Sequence, residues 1–146
     1  MKILSMPAGA ASTNYLYKDG VWNVGYENPG SYQWQSSTKS PFTLAADKMT
    51  SSTSVDSQIG TTNLIDVTNY NTLHVVAKGI TAYGGSCAAF GVKTSKNFDV
   101  ADMTGSITTV GSTVDYNIDV SSKTTVYFSI LCPASRAVEI TEIYLA

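Results

Sequence analysis

Between residues 72 and 145 the chain repeats one pattern: a short run rich in β-branched or aromatic residues, then a break of glycine, proline or small polar residues. The runs are "TLHVVAKGI" (72–80), "CAAFGVKTS" (87–95), "SITTV" (106–110), "TVDYNIDV" (113–120), "TTVYFSILC" (124–132) and "AVEITEIYL" (137–145), punctuated by Gly84-Gly85, Gly105, Gly111 and Pro133. Breaks this frequent leave no room for helices of ordinary length, and turn signals every 8–12 residues or so are the spacing of a β-sandwich or barrel. Composition agrees. Leu, Glu and Gln, which favour helices, number seven, three and three, whereas Val, Ile, Thr and Tyr are plentiful. The fold class read from the pattern is all-β.

The first half carries the same grammar less clearly. Asp19-Gly20 parts "NYLYK" from "VWNVGY" as a tight hairpin, because glycine accepts a positive φ there. "ENPGS" reads as a turn, "YQWQS" as an alternating strand, "PFTLAA" as a further segment, and "TSSTS" at 50–54 as a loop or exposed edge. With three or four strands before residue 65, the total is about nine or ten, enough for two packed antiparallel sheets. The 146 residues are expected to form one domain, 1–146, with residues 1–12 as an extended N-terminal arm.

Charge excludes several functions. A net charge of −2, with eight dispersed Lys and the lone Arg136, leaves no cationic footprint for nucleic acid. No apolar run approaches the ~20 residues needed to span a bilayer, so membrane insertion is not expected. The opening "MKILSMPAGAAS" is interrupted by Pro7 and Gly9, and its apolar stretch is too short for a cleaved leader. Cys132 shares strand parity with Val126, Phe128 and Ile130 and is expected to be buried. Cys87 has the opposite parity to Phe90 and Val92, so the two thiols need not face each other, and both are read as free.

One phrase occurs twice. "IDVTNYNTLHVVA" (65–77) matches "IDVSSKTTVYFSI" (118–130) at a constant offset, pairing Asp66 with Asp119, Val67 with Val120 and Thr72 with Thr125. An apolar–Asp–apolar stretch finishes a strand, and the following Thr or Ser starts a turn by bonding local backbone. The echo is read as one structural solution used twice.

These phrases also carry a resemblance. "IDVTNYNTLHVVAKG", "AAFGVKTS", "YNIDVSS", "VYFSI" and the closing "VEITEIYL", with Leu16-Tyr17-Lys18-Asp19-Gly20 near the start, resemble jelly-roll β-sandwich modules of the galactose-binding and carbohydrate-binding type. They look most like the version found in tail, fibre and accessory proteins of phages and prophages. The resemblance implies a jelly-roll type antiparallel sandwich and a non-catalytic structural protein of the virion, tail-associated or capsid-decorating. Its implied partners are other virion proteins, further copies of itself and a cell-surface glycan. Such modules usually end a longer chain, and a start at Met1 favours a stand-alone component. The alternative is a stand-alone carbohydrate-binding module in an extracellular setting.

No enzyme chemistry is assembled by the sequence. His74 is the lone histidine, placed mid-strand, and no second histidine or GxSxG accompanies it. Glu139 and Glu142 are three apart on a strand and point to opposite faces unless a bulge intervenes. The eight aspartates sit near turns as caps; Asp99 and Asp102 in "NFDVADMT" are a weak metal candidate without calcium-loop spacing, and no cofactor is expected.

Six large aromatics between Tyr15 and Trp34 remain: Tyr15, Tyr17, Trp22, Tyr26, Tyr32 and Trp34. Most are expected in the core or at its rim, with Trp34 buried and Trp22 at least partly exposed. The functional alternative is a platform of Trp22, Tyr26 and Tyr32, with Asn23, Asn28 and Gln33 bonding sugar hydroxyls. A third use is a subunit interface, where Tyr and Trp are enriched.

Overall fold

The computed structural model describes residues 14–28, 39–98 and 100–146. The expected N-terminal arm, the "YQWQS" strand with Tyr32, Gln33 and Trp34, and Asp99 lie outside these residues. The strands are β1 (Asn14–Lys18), β2 (Val21–Trp22), β3 (Tyr26–Glu27), β4 (Lys39–Ser40), β5 (Thr43–Leu44), β6 (Met49–Thr50) and β7 (Asp56–Thr61). They continue with β8 (Ile65–Asp66), β9 (Thr72–Thr81), β10 (Ala88–Lys93), β11 (Gly105–Ile107), β12 (Thr113–Asp119), β13 (Thr125–Cys132) and β14 (Ala137–Leu145). A short 3-10 turn, Val100–Asp102, precedes β11.

Two sheets face each other. The first runs β12-β9-β14-β1-β2, with β6 beside β14 and β5 beside β6; the second runs β11-β10-β13-β7-β3, with β8 on β13 and β4 on β7. Pairing is antiparallel except between β4 and β7. Leu73, Val75 and Ala77 of β9 and Ile140, Ile143 and Leu145 of β14 meet Ile59, Phe90, Val126, Phe128 and Ile130 from the second sheet in one core. The period of two along each strand puts these residues on the inner faces. The expectation of an all-β sandwich holds.

Of three local readings one needs correction, while the bulge the sequence left open is present in β14 and both cysteines are buried and free as expected. "VWNVGY" is not one strand. β2 ends at Trp22 on the first sheet and β3 begins at Tyr26 on the second, so Asn23–Gly25 carry the chain across the edge of the sandwich. β14 is bulged between Ile140 and Glu142, which sets Glu139 against Lys78 and Glu142 against Val76, both outside the core. Glu139 is paired with Lys48 at 3.3 Å. The third concerns the thiols. Cys87 precedes β10, where alternation no longer applies, and it turns inward; the Cys132 thiol donates to the Cys87 carbonyl at 3.3 Å. Both thiols are free, and burial pushes both up, Cys132 to about 11. Neither is poised as a nucleophile near neutral pH.

The repeated phrase has a physical counterpart. Asp66 Oδ1 accepts the Thr68 N–H at 3.0 Å, and Asp119 Oδ1 accepts the Ser121 N–H at 2.8 Å. Tyr70 N bonds Val67 O, and Lys123 N bonds Val120 O, each at 3.0 Å. The two turns then hold each other: Val67 N donates to Thr124 O and Val120 N to Asn71 O, both at 2.8 Å. In the ladders Asp66 stands opposite Thr125, and Asp119 opposite Thr72. The echo is a local two-fold arrangement at one end of the sandwich, with both valines fully buried at its centre.

Candidate functional site

Asp19 and Gly20 both take positive φ (51° and 84°), as a tight hairpin requires, and return the chain from β1 into β2. A side chain at Gly20 would meet the backbone oxygens of Ala45 and Ala46 at 2.4 and 2.6 Å. This hairpin sets Trp22 at the outer edge of the first sheet, opposite Tyr17. Tyr26 stands at the matching edge of the second sheet, opposite Thr61 of β7. The Trp22 and Tyr26 rings stack across the gap, 5.1 Å apart at 17°. They form a lateral seam between the sheets.

Burial differs across the seam. Tyr17 is fully buried and its ring leans on Trp22 at 5.3 Å. Trp22 is half-buried against the core, in line with the expected partial exposure. Tyr26 is 39% exposed. The indole covers one face of the Tyr26 ring. Among the described residues the Tyr17 hydroxyl and Trp22 Nε1 are buried without a hydrogen bond of good geometry, and burial, offset in part by the Gly20 backbone, pushes the Tyr17 phenol up to about 12. Two unsatisfied donors at one place are costly.

The remaining sequence candidates divide. Asn23 Nδ2 donates to Tyr15 O at 3.1 Å, which places this exposed residue beside β1. The Asn28 amide is committed to backbone: Nδ2 donates to Phe42 O at 2.8 Å and Oδ1 accepts from Phe42 N at 2.7 Å. Asp102 is paired with Lys93 at 2.8 Å. Among the described residues no three His, Cys, Asp or Glu side chains group as metal ligands.

Sequence reasoning missed an array on the outer face of the first sheet. His74 Nδ1 lies 2.8 Å from Asp115 Oδ1, His74 Nε2 lies 2.7 Å from Thr72 Oγ1, and the Tyr144 hydroxyl donates to Asp115 Oδ2. A carboxylate only accepts, so Nδ1 carries the proton in the bond to Asp115. Hydroxyl, imidazole and carboxylate thus stand in the order of a hydrolase triad. Two features set the array apart from one. The Thr72 N–H is bonded to Ala146 O, away from any oxyanion, and the imidazole lies flat on the Tyr144 ring at 4.4 Å and 4°. Tyr15 leans on Tyr144 at 5.3 Å, and the Lys18 ammonium sits 4.4 Å above the Tyr15 ring. The ring faces are spent on one another, so the array clamps β1, β14, β9 and β12. The bond to Asp115, and then burial, push the Tyr144 phenol up to about 12. Asp115 lies on a neighbouring strand, far from His74 in sequence, so no local motif announces the pair.

Solved structures place the sandwich. A mutant of CBM29-2, studied for ligand recognition by family 29 carbohydrate-binding modules, superposes with a TM-score of 0.59 at 14% identity, over 93% of this chain and 92% of that one. The sandwich resembles the jelly-roll fold of carbohydrate-binding modules. The secreted serine protease VesC of Vibrio cholerae gives a TM-score of 0.52 at 10% identity, over 72% of this chain. The match spans 22% of the protease. The CBM51 of Clostridium perfringens GH95, in complex with methyl-galactose, gives 0.39 at 11% identity, covering 96% and 91% of the two chains. No family model matches the sequence. No curated protein matches it either.

Proposed function

We propose that the chain is a carbohydrate-binding module whose ligand stacks on the exposed face of Tyr26, with Trp22 as the backing. The observation that carries this is the seam: a partly exposed ring, braced from behind, at the edge of a sandwich resembling carbohydrate-binding modules. Sugars offer axial C–H faces to such a ring, and little charge has to be desolvated there. Asn23 and Gln33 remain the proposed hydrogen-bonding companions and Tyr32 the further platform ring, while the Asn28 amide is committed to Phe42. This reading takes up the sugar-binding alternative raised by the sequence and not the virion structural role, for which the fold offers no observation.

A glycan array with the isolated protein, followed by titration of the hits, tests it. Tyr26→Ala should fold, because its side chain is exposed, and should weaken binding about tenfold or more. Binding unchanged in a folded Tyr26→Ala would place the ligand elsewhere and remove the seam as the site.

A further inference from the structure

On the edge opposite the seam, where β12 faces β10 and the Val100–Asp102 turn, lies a cleft of about 540 Å³. That volume is within the roughly 300–1,000 Å³ of small-molecule sites. Its aliphatic lining is Val92, Ala101 and Ile118, with Thr104 beside them. Asp102, Asn117, Asp119 and Lys123 stand around it. The charges compensate within the site. Asp102 is paired with Lys93 at 2.8 Å, and Asp119, held low by hydrogen bonds from Ser121, lies in the field of Lys123.

The chemistry narrows the ligand. A site with balanced charge gives no net attraction to an anion or a cation. An aliphatic lining, with no ring among its described residues, offers nothing for a flat aromatic ligand to stack on. What matches is an uncharged polyhydroxylated molecule: its C–H face lies on Val92 and Ile118, while its hydroxyls donate to carboxylates and accept from the Lys123 ammonium and the Asn117 amide. We propose that this cleft is a second saccharide-binding site, which makes the module bivalent. The inference rests on the saccharide-binding reading of the seam for its ligand class. The two sites lie at opposite edges of a five-strand path, roughly 20 Å apart at the usual strand spacing. A bivalent module of this kind bridges two segments of polysaccharide and gains avidity from the pair.

Amide NMR titration of the whole chain with soluble hexasaccharides of glucose, galactose, mannose and xylose tests both sites at once. The expected result is two clusters of shifted signals, one at Trp22 and Tyr26 and one at Asn117, Asp119 and Lys123. Lys123→Ala, an exposed substitution, should weaken the cleft site about tenfold and leave the seam signals as they were. Shifts confined to the seam would overturn the cleft and leave the first site standing. Shifts confined to the cleft, lost in Lys123→Ala, would support it and sink the seam. If none of the four sugars moves either cluster, both proposals fall together.

Discussion

The Tyr17 hydroxyl lies in the interior near the Gly20 backbone but, among the described residues, forms no hydrogen bond of good geometry, and the Trp22 indole N–H beside it forms none either. Such a group costs about 1–3 kcal/mol when left unsatisfied. Tyr17→Phe keeps the ring against Trp22 and removes the orphan, so urea unfolding should show the variant about 1 kcal/mol more stable than the parent. A loss of stability would mean that the hydroxyl is bonded in solution. The same residue sets an alkaline limit. Its folded pKa of about 12 lies above the roughly 10 of an unfolded tyrosine, so its contribution is complete below pH 10 and is lost between about pH 10 and 12. Tyr144, raised to about 12 mainly by Asp115, behaves in the same sense. Ultraviolet titration should therefore show late-ionising tyrosines, fewer in Tyr17→Phe and in Tyr144→Phe. Ordinary titration of all tyrosines in the folded protein would contradict both assignments.

At the scale of elements, the six strands from 72 to 145 were legible because each is a β-branched or aromatic run bounded by breaks, and the structure places them within two or three residues at each end. β7 was not. "DSQIGT" is polar, yet from Ser57 to Thr61 it is buried and central to the second sheet. Ser57 Oγ accepts from Ser52 N, Gln58 Nε2 donates to Ser129 Oγ, and Thr61 Oγ1 accepts from Phe128 N. The partners of Gln58 and Thr61 come from β13, about seventy residues away, so the local sequence does not show that their burial is tolerated. The candidate site was legible in part for the same reason. Trp22 and Tyr26 could be named from residue type, but their stacking depends on the sheet switch at Asn23–Gly25, which alternation cannot reveal. The Asp turns were read from local chemistry alone and need no distant information. Asp66→Ala and Asp119→Ala should each lower the melting temperature by roughly a few degrees, unaffected by calcium or chelator. For Asp119 the sign in pH is set: its carboxyl is held below the usual range by the Ser121 hydroxyl and N–H, so its stabilisation is complete above the unfolded pKa and is lost as pH falls through the folded one. A melting shift on calcium addition that either mutation abolishes would turn the caps into ligands.

For the molecule as a whole, topology decides what the two edges offer. The β2/β3 edge is closed by stacked rings, while the β11/β12 edge is left as a cleft, so the sandwich is asymmetric about its core although the repeated phrase is symmetric. The proposed carbohydrate binding at one or both edges would leave the sheet faces to serve as scaffold. The interlocked turns carry a further consequence, for the way the native state opens. Each turn is completed by an N–H···O bond supplied by the other, so neither can fray alone. Chain segments distant in sequence thus form a single cooperative unit. In native-state hydrogen exchange, the amides of Val67 and Val120 should open with free energies within about 1 kcal/mol of each other and near the global value. If one exchanges through a low-energy local opening while the other stays protected, the reciprocity is geometric only, and the two halves of the sandwich come apart separately.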